Sequence, residues 1–144
     1  MKILIFLSIL SLSIAGCKKT VDTNADLITL RAHKWQLTDY RKSDGTISMT
    51  EPDSLIRPAV ILFLNEDSII GNDVNDFTAN YCANTDKHTL LIKVRSSTAV
   101  YSTLHFLSDF QATLEEAESY QVQGNELLIN YLGGTRSLHF IEVN

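Results

Sequence analysis

Cys17 is the residue whose setting points most directly to chemistry. It closes the run Leu12-Ser13-Ile14-Ala15-Gly16-Cys17, and polar Lys18-Lys19-Thr20 follows at once. Small residues ahead of a cysteine suit the lipoprotein signal peptidase. The thiol would take a diacylglyceryl group, and cleavage would leave Cys17 as the new first residue. An ordinary secretory signal with an incidental cysteine would not require the abrupt polar switch.

The remaining candidate groups are dispersed. The histidines are His33, His88, His105 and His139, and no two stand at the spacing of a metal site. Each reads as a surface or strand-edge residue. With Cys17 lipidated, Cys82 would lack an intrachain disulfide partner and reads as a small buried apolar residue. Glu115, Glu116 and Glu118 read as a solvated helix face. Paired carboxylates for acid–base work would need a cleft that splits their pKa values. Asn72-Asp73-Val74-Asn75-Asp76 is rich in oxygen donors but lacks the length and spaced acids of an EF-hand loop. Its favoured role is a turn or bulge fixed by Asn75. There is no Gly-x-Ser-x-Gly elbow and no glycine-rich phosphate loop. Neither a cofactor nor a bound metal is expected.

Three segments would position these groups. Residues 1–16 begin Met1-Lys2 and continue as an apolar run broken only by serines, which reads as a signal peptide. The run is short for a bilayer span, which needs about 20 apolar residues. Residues 17–29 read as the lipidated cysteine and a flexible tether. Acyl chains contribute about 0.8 kcal/mol per buried methylene, so a doubly or triply acylated cysteine anchors stably. Lys18 is not the aspartate associated with inner-membrane retention, which favours the outer membrane. Residues 30–144 form one domain. Loss of residues 1–16 would leave 128 residues and move the formal charge from −5 to −6, since Lys2 is the only charge removed. An acidic domain repels phosphate backbones, so nucleic acid is not an expected partner.

The domain pattern is mostly β. Residues 34–40 alternate, with Trp35 and Leu37 on one face, and a polar loop spans 41–58. Residues 59–64 are a continuous apolar run, read as a buried strand, and a turn at 65–67 leads into 68–71. Phe77, Ala79 and Tyr81 alternate, as do Leu90, Ile92 and Val94. Ser108 and Gln111 fit a capping box, followed by Phe110, Leu114 and Ala117 at helical spacing, which predicts one helix over 109–118. Gly124-Asn125 and Gly133-Gly134 then separate strands at 119–123, 126–132 and 136–143. The expected fold is mainly β, a small antiparallel barrel-like domain of seven or eight strands with one short helix. The inward candidates also include Phe63, Tyr120, Val122, Ile129, Leu138 and Phe140. Most are large, which predicts a packed interior.

In order along the chain, several pieces resemble the META domain, the family of HslJ-like bacterial lipoproteins. These are Trp35-Gln36-Leu37, the hairpin from Ile61-Leu62-Phe63 to Gly71, and Val74-Asn75-Asp76-Phe77-Thr78-Ala79-Asn80-Tyr81. Ser97-Thr98, the short helix, Tyr120-Gln121-Val122 and the Gly124-Asn125 turn complete the set, which covers residues 30–143. The resemblance implies structural roles for Trp35, Asn75, Phe77, Tyr81, Ser97 and Thr98. It also implies a compact envelope domain linked to stress and antibiotic tolerance, without catalytic residues. Many relatives carry two cysteines where this chain has Val74 and, approximately, Ser102, so no redox or metal role transfers.

The resulting expectation is a non-enzymatic envelope lipoprotein that binds a protein or supports the envelope under stress. A carrier of a small hydrophobic ligand would need a roomy apolar pocket. A hydrolase would need clustered, perturbed ionisable groups.

Overall fold

The computed structural model describes residues 25–50, 57–65, 67–98 and 105–144, excluding the side chains of residues 105 and 108. Cys17, the signal-peptide segment and Ser102 lie outside the described residues. A helix, α1 (Ala25–Ala32), precedes the sheet. Asp26 in its first turn and Arg31 in its last complement the helix dipole. Leu27 and Leu30, three residues apart, share a face and are buried. The Trp35 indole Nε1 donates to the Leu30 carbonyl at 2.9 Å, satisfying an acceptor near the helix end. The expected tether therefore gives way to packed structure by Ala25. Two inward leucines over eight residues are too short a pattern to announce a helix.

Nine strands follow: β1 (Lys34–Lys42), β2 (Ile47–Thr50), β3 (Val60–Leu64), β4 (Ser68–Asn72), β5 (Asp76–Asn84), β6 (Thr89–Ser97), β7 (Ser119–Gln123), β8 (Glu126–Tyr131) and β9 (Arg136–Val143). From β3 to β9 each strand pairs antiparallel with the next. Strand β1 pairs with both β3 and β9, so these eight strands form a ring. The short β2 lies beside the far end of β1, within the expected polar loop at 41–58.

Rings of about eight strands are just wide enough to fill with side chains. Trp35, Leu37, Phe63, Leu90, Tyr120, Ile129, Leu138 and Phe140 are fully buried, as strand alternation predicts. Phe77, Tyr81 and Ile92 are also buried, while Val94 and Val122 are partly buried against the core. Each large apolar side chain fully removed from water contributes about 1.5–3 kcal/mol.

Ring pairing is sparsest between β6 and β7, where the register is Thr89 opposite Ser119. Two flanking bonds support it, Leu90 N–H to Glu118 O and Tyr120 N–H to His88 O, each 3.0 Å. The expected helix over 109–118 is present as α3 (Phe110–Glu115), and a further short helix, α2 (His105–Ser108), precedes it. Asp109 precedes α3 and makes no side-chain capping bond. The Ser108 side chain of the expected capping box lies outside the described residues; the Gln111 amide donates to Asp73 Oδ2 at 3.1 Å. Helix α3 packs against β6, burying Phe110 and Leu114. Glu115 Oε1 accepts the Val94 N–H at 2.9 Å and meets Lys93 Nζ at 2.9 Å. The acidic cluster thus includes a staple between helix and strand as well as solvated charge.

Candidate functional site

An outer-face groove is the first candidate recognition surface. It has a volume of about 650 Å³ and is lined by Val60 and Leu62 of β3, Ile70 and Gly71 of β4, and Phe77 of β5. Lys34, Thr78 and Ser96 supply polar parts of the lining. The volume falls within the usual range for small-molecule pockets, about 300–1,000 Å³. Alternation explains the composition: Phe63 and Ile69 turn into the ring, leaving their neighbours Leu62 and Ile70 on its outer face. Ile70 remains 46% exposed. Thr78 and Ser96 hydroxyls bond across β5 and β6 at 2.7 Å, so part of this polar wall is internally satisfied.

A second candidate is polar. At a register shift in β1, between Leu37 and Asp39, Asp39 comes opposite His139 of β9. A bulge of this kind redirects side chains and leaves a residue unpaired in the ladder. Asp39 and His139 are both buried. His139 Nδ1 lies 2.8 Å from Asp39 Oδ2, 2.8 Å from Thr38 Oγ1 and 2.7 Å from Arg41 Nη2. The Arg41 guanidinium also grips Asp39, with Nε 2.6 Å from Oδ1 and Nη2 3.3 Å from Oδ2. Burial pushes the Asp39 carboxyl up, but hydrogen bonds from Arg41, His139 and Thr38 outweigh this and hold it below its ordinary value.

The chemistry of that cluster is limited by its geometry. A hydroxyl–imidazole–carboxylate relay needs its two partners on opposite ring nitrogens. Here Thr38 and Asp39 both address Nδ1. Nε2 makes no hydrogen bond, although Glu126 Oε2 stands within ion-pair range at 3.4 Å. His139, expected at the surface or a strand edge, is buried in the structure. The groups that surround it, Thr38, Asp39 and Arg41, come from a strand about 100 residues away in sequence.

The motif residues separate into two groups. Near α1, the buried Trp35 indole bonds Leu30, and the Tyr81 hydroxyl donates to Leu64 O at 3.0 Å. Arg31 Nε approaches the same hydroxyl at 2.5 Å, and the guanidinium lies over the ring, 5.6 Å from its centroid. At the β4–β5 turn, Asn75 N–H donates to Asp73 Oδ1 at 2.5 Å, while Asn75 Oδ1 accepts from Thr98 at 3.2 Å. The Asp76 N–H donates to Thr98 Oγ1 at 3.1 Å. Phe77 sits opposite Ser97 in the ladder, and the Ser97 hydroxyl donates to Thr98 O at 3.1 Å. Asn72 bonds Pro58 O, and Asp76 pairs with Arg57. The oxygen-rich run is therefore extensively used in holding its own turn.

Among the described residues no group of three or more His, Cys, Asp or Glu could hold a metal ion. His33 Nδ1 lies 2.8 Å from Glu142, and His88 Nδ1 lies 3.7 Å from Asp26. The His105 side chain is outside the described set. Cys82, expected as a lone buried thiol, is half-buried and disulfide-bonded. Also among the described residues, no helix is long and apolar enough to cross a membrane.

The overall architecture is similar to that of a DUF4847-family protein from Bacteroides vulgatus ATCC 8482, with a TM-score of 0.63 and 17% identity. That match covers 78% of this chain and 93% of the other. A protein from Burkholderia xenovorans, determined by NMR, gives a TM-score of 0.64 at 14% identity, covering 88% and 94% of the two chains. A further NMR structure gives 0.58 at 16% identity, covering 79% and 92%. No protein-family model matches the chain, and no curated protein matches it. At these identities the likeness establishes a shared β-rich, barrel-like fold.

Proposed function

We propose that this chain is a non-enzymatic cell-envelope lipoprotein of the META/HslJ-like kind, anchored through Cys17 and binding a protein partner on its outer surface. The outer membrane is its proposed location, and support of the envelope under stress its proposed role. The outer apolar groove carries the binding reading. Large side chains occupy the ring, including Trp35, Phe63, Tyr120 and Phe140, whereas Val60, Leu62 and Ile70 line an outer groove of about 650 Å³. This favours surface recognition over carriage inside the ring. The shared-nitrogen geometry at His139 disfavours hydrolysis by a relay.

Photocrosslinking in the native envelope tests the recognition surface. A crosslinker replacing Ile70 should capture one discrete protein, which Leu62→Asp should abolish. The same crosslinker replacing Leu91, 62% exposed on β6 and outside the groove, should not capture it. Equal capture from both positions would exclude the groove as the recognition surface.

A further inference from the structure

A different groove has a different charge logic. It lies at the lip of the ring, about 320 Å³ in volume, and its lining includes Arg41, Lys42 and Arg136 but no acidic residue. The whole chain has a formal charge of −5, so three cations lining one groove are a local excess of positive charge, with the Asp39 carboxylate behind Arg41 and Asp44 near Lys42. Lys42 and Arg136 are direct partners across the β1–β9 ladder. Directly opposed side chains in an antiparallel pair have Cβ atoms about 4.5–5.5 Å apart, and like charges there oppose pairing. Neither cation has an acidic partner within salt-bridge distance among the described residues, although the Asp44 carboxylate lies within electrostatic reach of Lys42 and Arg136 meets the Tyr131 side chain. Arg41 is held from behind by Asp39 through Nε and Nη2, so it enters the groove already oriented. Fixing a guanidinium before binding reduces the ordering cost of an anion complex. Asn130 and Ser137 add hydrogen-bonding groups to the wall.

We propose that this lip groove binds a phosphate-type oxyanion, held by Lys42 and Arg136 with Arg41 at its side. A bound anion offsets the like-charge pair and uses the fork of guanidinium donors. The site is separate from the apolar groove and goes beyond the proposed protein-binding role.

The test uses the full chain recovered from its envelope in a neutral detergent, with inorganic phosphate as the first probe at constant ionic strength. Nuclear magnetic resonance titration should give saturable shifts at residues 41, 42 and 136. The exposed-site double variant Lys42→Gln/Arg136→Gln should weaken binding at least tenfold while its unliganded melting temperature stays equal or rises. Phosphatidylglycerol and phosphatidylcholine micelles distinguish the source of the anion. Variant-sensitive binding to phosphatidylglycerol, competed by phosphate, assigns a lipid headgroup; phosphate binding alone assigns a soluble anion. Absence of saturable phosphate binding, or equal binding by the double variant, overturns the proposal.

Discussion

A Cβ atom added to Gly71 would collide with Cζ of Phe77, its partner across β4 and β5. The ring of a buried phenylalanine thus occupies the space that a side chain at position 71 would need. Gly71 lines the apolar groove, so the close approach couples its wall to the core. Gly71→Ala should destabilise the fold by about 1–3 kcal/mol, the usual cost of overpacking. Urea unfolding would measure it. Adding Phe77→Leu should recover part of the loss; an additive double variant would show that the ring is not the obstacle.

Gln111 should matter to stability although it is not a core hydrophobe. Its amide reaches Asp73, a buried acid whose other carboxyl oxygen accepts the Asn75 N–H. Gln111→Ala would remove a partner from a buried polar atom, with an expected cost of about 1–3 kcal/mol. Asp73→Asn should cost less, because the Gln111 amide can turn its oxygen towards the new donor. Chemical denaturation of both variants would check this order.

The Asp39 cluster predicts an acid-range signature. Burial raises the Asp39 pKa, but bonds from Arg41, His139 and Thr38 bring it below its ordinary value of 3.8. A carboxylate depressed in the folded state stabilises above its unfolded pKa, about 3.9, and loses that contribution as pH falls through the lower folded value. The stability gap between the unaltered chain and Asp39→Asn should therefore narrow below about pH 4. Urea midpoints between about pH 6 and pH 3 would read the gap. Parallel curves would show no linkage at Asp39.

Much of the core is visible in the alternation of Trp35 with Leu37, Leu90 with Ile92, and Leu138 with Phe140. The glycine turns locate the last three strands because their backbone needs constrain local geometry. Helix α1 is less visible because its inward pattern consists of only Leu27 and Leu30. Strand β2 has four exposed residues and no inward period to reveal it. His139 illustrates another limit: alternation places it outside the ring, but its burial depends on a bulge near Thr38 and groups from distant strands. The outer groove also depends on bringing β3, β4, β5 and β6 together.

The intact mass of the chain recovered from its native envelope tests the lipid-anchor claim most directly. A chain that begins at Cys17 and carries acyl mass is the predicted result. A chain that carries no acyl mass would contradict the lipid anchor.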